Sequence, residues 1–224
     1  MAASLSDHVK KIKSILLTLP ATGEQGFEGL IGALLYDITG VPFRLAASGL
    51  QFGVDGASTY VADRIYFEGK RYDGQIDRTQ LITKIADLAR RGVDGDVVWV
   101  LGATSSISAQ LASDLRTDAR HRGIGIVILD WSPYGIPPFV AALASGGASA
   151  ERFLVTQLKN KSERDDMTAS LAAVKADALF AAQAQRVLDD LKATAVATTF
   201  AQEANTRWLK GVFGSRTRAR TWLG

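Results

Sequence analysis

An α/β fold with a mixed sheet, followed by a helical C-terminal region, is predicted by three observations. Two near-continuous apolar runs, VVWVL at 97–101 and IGIVIL at 124–129, are separated by an amphipathic stretch over 106–121. That alternation describes a parallel strand pair joined by a right-handed crossover and buried on both faces. Ahead of them, residues 43–72 break at turn residues into three short strand-like pieces, the pattern of an antiparallel meander. From about residue 150 the chain turns alanine-rich, with apolar residues at alternating three and four spacing, which is helical.

In chain order, a basic amphipathic helix over 5–18 sets Leu5, Val9, Ile12 and Leu16 against Lys10, Lys11 and Lys13, and Pro20 ends it. Thr22 and Gln25 make a capping-box pattern for a second helix running to residue 39. Phe27, Leu30, Ile31, Leu34, Leu35 and Ile38 form its apolar stripe. Glu28 lies on the flank, about 90° from the centre of that stripe by the helical period. Gly26 and Gly29 beside it argue for close approach to another backbone, since glycine lowers helix stability. After Gly40 and Pro42, FRLAA is the first strand, SGLQFGVDG a turn leading into the second, and IYFEGKRY the third. A helix over 77–91 points Leu81, Ile82, Ile85, Leu88 and Ala89 inward and is stopped by Gly92.

Past Pro133 the prolines and small residues of GIPPFVAALASGGASA place a boundary near 145–149. The expected division is a domain over 1–146 and a helical linker or oligomerisation region over 147–224. Within the latter, Leu171, Val174, Ala178, Ala181, Gln185 and Leu188 form a narrow seam for a partner helix, internal or from another subunit. The stretch 206–224 carries five basic residues, and its Trp-Leu-Gly ending reads as a chain that continues into a larger protein.

Composition excludes several chemistries. With no cysteine in 224 residues there is no disulfide, thiolate nucleophile or cysteine zinc site. His8 and His121 are the only histidines, too few for a histidine-rich metal cluster and a poor basis for a Ser-His-Asp triad. Neither GxGxxG nor GxxxxGK[ST] occurs, which disfavours a dinucleotide-binding or P-loop domain despite the β-α-β alternation. No 18-residue apolar run exists, and the N-terminus lacks the order of a signal peptide, so a cytoplasmic protein without membrane contact is expected. The net charge of +3 is compatible with nucleic acid binding through a local patch.

Carboxylates and lysines remain, and they concentrate between Gly53 and Lys70, GVDGASTYVADRIYFEGK. Asp55 is followed thirteen residues later by Glu68, and Lys70 two residues after that. On a strand, Glu68 and Lys70 share one face because side chains alternate with period two. A carboxylate and an ammonium on one face, with a second carboxylate from the neighbouring strand, can hold a divalent cation beside a fixed positive charge. Phosphodiester hydrolysis needs that combination.

In these residues the chain resembles the PD-(D/E)xK nuclease superfamily, whose signature is an acidic residue, a spacer of this order, and Glu-x-Lys on the next strand. Val54 stands where the family usually has proline. The resemblance covers residues 22–132 and implies a restriction-endonuclease-like core, with Asp55, Glu68 and Lys70 as catalytic residues. Archaeal-type Holliday junction resolvases and Mrr-like restriction enzymes also place a glutamate on the preceding helix, where this chain has Glu28. Glu28, Asp55 and Glu68 would then hold Mg²⁺, with Mn²⁺ able to substitute. In the resembled family the helix over 77–91 flanks the active site, which makes Lys84, Arg90 and Arg91 candidates for contacts to double-stranded DNA. The last stretch resembles the lead-in to an ATPase module in multidomain defence proteins, implying the effector end of an antiphage protein that assembles through its C-terminal helices. Other readings stand beside these. Glu28 also suits a helix-dipole role, the three basic residues also suit a solvated helix face, and a catalytically silent DNA-binding or assembly module would use the same fold.

Overall fold

The computed structural model describes residues 3–46, 54–59, 64–74, 76–90, 97–132 and 135–194. Arg91, Gly92 and the basic stretch 206–224 lie outside the described residues.

A five-stranded sheet in the order β1-β2-β3-β4-β5 forms the middle layer. It comprises β1 (Phe43–Leu45), β2 (Gly56–Ser58), β3 (Arg64–Lys70), β4 (Val97–Ala103) and β5 (Ile124–Leu129). The first three strands pair antiparallel and the last three parallel, so meander and crossover units meet at β3. Period-two alternation divides the sheet between two cores. Tyr66, Val97, Trp99, Leu101, Ile124, Ile126 and Ile128 face α3 (Arg78–Arg90) and α4 (Ala109–His121). Ile65, Phe67, Val98, Val100, Val127 and Leu129 face the opposite layer. β4 is buried at every residue, which is why its sequence shows no polar alternation.

The opposite layer holds α1 (Leu5–Leu16), α2 (Phe27–Thr39), α5 (Pro138–Ser145), α6 (Ala148–Gln157), α7 (Lys161–Ala176) and α8 (Phe180–Thr194). α2, α5 and α8 touch the sheet, α6 packs on α2, and α7 packs on α1 and α5. The α2 stripe expected from the sequence is buried from Phe27 to Ile38. Its start differs from expectation. Gly26 is the N-cap and makes no side-chain bond, so the Thr22–Gln25 capping box does not form. Glu28 instead reaches back to accept from the Gly23 N–H at 2.8 Å.

Between 138 and 145, where the sequence reads as a linker, α5 runs with Phe139 to Ser145 all buried. A helix that is apolar on every side shows no helical period, so it does not declare itself in the sequence. The helices beyond Gly147 join the same core: Ala150, Leu154, Met167, Val174, Phe180, Ala184, Val187 and Leu188 are buried with α1, α2 and α5. The carboxylate of Asp37 on α2 caps α6, accepting from Ser149 N–H at 3.1 Å and Ala150 N–H at 2.8 Å. The expected seam is not one continuous stripe, because α7 ends at Ala176 and α8 begins at Phe180, leaving Ala178 and Gln185 exposed. Its buried members, Val174 and Leu188, are covered within the chain. Among the described residues no helix is long and apolar enough to cross a membrane.

Candidate functional site

The sequence-predicted residues Asp55, Glu68, Lys70 and Glu28 converge at the C-terminal ends of the parallel strands, joined by Lys84. This is where ligands bind in open α/β sheets. Asp55 precedes β2 and is fixed by three bonds. Its N–H donates to the Phe67 carbonyl at 3.0 Å, its carbonyl accepts from Ala46 N–H at 2.7 Å, and its Oδ2 accepts from Gly69 N–H at 2.7 Å. The bonds to residues 67 and 69 bracket Glu68, so strand pairing and side-chain anchoring together bring the two carboxylates to one place.

Glu68 has 0% exposure. Sharing its face with Tyr66, it points to the α3 side of the sheet. Its Oε1 meets Lys70 Nζ at 2.5 Å and Lys84 Nζ at 3.4 Å. Neither of its buried oxygens has an aligned hydrogen-bond partner among the described residues. The strand end carrying Lys70 is pinned by the two residues that succeed β4. Thr104 N–H donates to the Lys70 carbonyl at 3.0 Å, and the Thr104 and Ser105 hydroxyls donate to the Tyr72 carbonyl at 2.8 and 2.7 Å.

Glu28 approaches from the other face, on the first turn of α2. Two glycines make room for it. Gly69 and Gly102 are partners across β3 and β4. A Cβ on Gly69 would stand 3.3 Å from Glu28 Cγ and 3.1 Å from Ile31 Cδ1, and one on Gly102 would stand 2.7 Å from Ile31 Cδ1. The glycine inside Glu-Gly-Lys therefore lets α2 settle onto the sheet with Glu28 beside the site.

The electrostatics are those of a crowded, half-dry cluster. Burial raises the proton affinity of Glu28, and the charge of Asp55 adds to it against the Gly23 bond and the two lysines. Burial likewise pushes Asp55 up, opposed by its Gly69 bond and by Lys70 and Lys84. Glu68 is raised by burial and then by Asp55, again against both lysines. For Lys70, burial pulls down, but contact with Glu68 and the charges of Glu68 and Asp55 outweigh it, so its ammonium holds its proton more firmly than usual.

Among the described residues no three carboxylate or histidine side chains stand close enough to hold a metal ion as they are placed. The donor set still suits a hard cation. Asp55 and Glu68 offer carboxylate oxygens from adjacent strands, and the fully buried Glu68 carboxylate has no aligned hydrogen-bond partner among the described residues. Lys84, expected to face DNA, turns instead into this cluster. Its signal in the sequence is its place at the middle of α3, beside the buried Leu81 and Ile85. Arg90 lies six residues further along, roughly 9 Å up the helix axis. It is exposed and pairs with Asp87 at 2.7 Å. Protein-family models, curated proteins and solved structures give no match to this chain.

Proposed function

We propose that this chain is a metal-dependent endonuclease of the restriction-endonuclease-like class, hydrolysing phosphodiester bonds of double-stranded DNA. The observation that carries the reading is Glu68, a carboxylate with no exposed surface, bracketed by the anchoring bonds of Asp55, faced by two ammoniums and without an aligned hydrogen bond among the described residues. The order of meander, helix, strand, helix, strand supports it.

In this reading Asp55 and Glu68 would hold Mg²⁺, or Mn²⁺ in its place, with Glu28 on the flank. An ion held there would supply Lewis acidity toward a water and positive charge beside phosphorus. Asp55 cannot swing away, because its second oxygen is committed to the Gly69 N–H. Lys70 keeps its proton, so it serves as a hydrogen-bond donor and a fixed positive charge near the phosphate rather than as a general base. Arg90 and Arg91 extend the contact along the DNA backbone. The chain is then the effector end of a larger antiphage protein, on the likeness of the stretch 206–224 to an ATPase lead-in.

A second reading, a catalytically silent nuclease-like module, is favoured by the same ion pairs, because two lysines on one carboxylate are also a way to keep a buried charge for structure alone. Supercoiled plasmid incubated with the purified chain and Mg²⁺ separates the two. The endonuclease reading expects nicked or linear product that chelator abolishes and that Asp55→Asn, Glu68→Gln and Lys70→Met each remove. Chelator-resistant product, or full activity in any of the three variants, retires it.

A further inference from the structure

We propose that Lys84 is a built-in competitor for the metal: its ammonium stands against the Glu68 carboxylate that would hold a divalent cation, and the site stays closed until a cation displaces it. The inference rests on the endonuclease reading above and adds how metal access to that site is controlled.

Lys70 and Lys84 are not equivalent partners of Glu68. Lys70 sits two residues away on the same strand face and moves with the carboxylate. Lys84 arrives from a different element, α3, and places a second positive charge on the same oxygen, Oε1, at 3.4 Å. A pair kept only for structure would serve both oxygens, since an ionised carboxylate accepts at about four lone-pair sites. Here both ammoniums meet Oε1, yet neither buried oxygen of Glu68 has an aligned hydrogen-bond partner among the described residues. Lys84 therefore supplies charge rather than completing a hydrogen-bond set. That charge opposes a divalent ion on the same carboxylate, because like charges a few ångström apart repel strongly in a poorly hydrated site.

The departure of Lys84 is mechanically simple. Its side chain is 29% exposed, against 12% for Lys70, so solvent already reaches it. The flexible four-carbon stem can swing outward while Leu81 and Ile85 keep α3 seated. Once displaced, the ammonium stands free at the rim, where a backbone phosphate would arrive.

Mn²⁺ titration of the full chain without DNA, at pH 8 so that proton competition is small, tests the inference by the electron paramagnetic resonance of the free ion. Lys84→Gln and Lys84→Met should bind Mn²⁺ roughly ten-fold more tightly than wild type, and Lys84→Arg, which keeps the charge, should stay near wild type. Thermal melts should show the larger Mn²⁺-induced rise in the two neutral variants. Two neutral variants are used so that loss of fold in one leaves the comparison standing. Equal or weaker affinity in the neutral variants overturns the gate while leaving the endonuclease reading in place, because the wild type still binds. Absence of Mn²⁺ binding in wild type and variants alike, or wild-type affinity in Glu68→Gln, overturns the endonuclease reading and the gate with it.

Discussion

An ionised carboxylate without exposed surface is several kcal/mol out of favour unless charge and hydrogen bonds compensate it, and Glu68 is compensated by the two ammoniums that face it. This sets the sign of its pH dependence. Glu28, Asp55 and Glu68 each bind a proton more readily in the folded chain than in an unfolded one. The folded state then carries more protons just above the ordinary carboxylate range. That contribution to stability is complete below the unfolded value and is lost as pH rises through the folded one. Lys70 follows the same rule at alkaline pH, its contribution lasting until pH climbs through its raised value. Urea melts should therefore show Glu68→Gln gaining on wild type as pH rises from 4.5, the ordinary value for this side chain. A wild type that gains on the variant over that rise would contradict the described surroundings of Glu68. Asp55 allows a cleaner separation of charge from scaffold. Asp55→Asn keeps an oxygen for the Gly69 N–H and should lose about 10²-fold or more in cleavage rate with stability within ~1 kcal/mol of wild type. Asp55→Ala should lose a further 1–2 kcal/mol, roughly the value of an acceptor removed from a part-buried N–H. Cleavage rates and denaturation midpoints measured on the same preparations check both.

At the scale of elements, the seat between α2 and the sheet is set by the paired Gly69 and Gly102. Gly102→Ala drives a methyl into Ile31 Cδ1, at 2.7 Å, and should destabilise by about 1–3 kcal/mol. Adding Ile31→Val removes that terminal methyl and should recover part of the loss; a purely additive double variant would place the strain elsewhere. α3 carries the expected DNA contacts at two different stations, with Lys84 turned to Glu68 and Arg90 exposed at the far end. If Arg90 meets phosphate, Arg90→Ala should lower the salt slope of DNA binding by about one unit, equally on unrelated sequences. An unchanged slope assigns Arg90 to the solvated face with Asp87. The elements whose side chains keep a clear period, β3, α3, β4 and β5, stand within two residues of their sequence expectation. α4 begins at Ala109, later than expected, because the Ser108 side chain caps it by accepting from Leu111 N–H.

For the whole molecule, the packing of α6, α7 and α8 against α1, α2 and α5 places 147–194 in the same core as the sheet. A chain ending at Gly146 would uncover α5, which is buried on all sides, along with the faces of α1 and α2 that meet α7 and α6. It should lose cooperative unfolding and bind hydrophobic dyes, while the full chain should melt in one calorimetric transition across these elements. Two separated transitions in the full chain, or a well-folded shortened one, would show that 147–194 is an independent unit. The reason for expecting self-association through that stripe weakens accordingly, since Val174 and Leu188 are already covered inside the chain.

The sequence by itself determined the alternation of strands and helices, because periods of 2.0 and 3.6 are written in side-chain polarity. It also determined that Glu68 and Lys70 share a strand face, which two-residue spacing guarantees on any strand. Tertiary structure alone decided the rest of the site. Asp55 comes to Glu68 through one backbone and one side-chain bond to β3. Glu28 reaches the same place from the opposite face, over a glycine that looks like any other in the sequence. Lys84 shows why such roles do not appear in a linear reading. On its helix it lies beside the apolar stripe like any solvated lysine, and only the packing of α3 against β3 sets its ammonium on a buried carboxylate sixteen residues earlier in the chain. Local periodicity encodes which face a residue takes on its own element, whereas the distance between charges on different elements is fixed by how those elements pack.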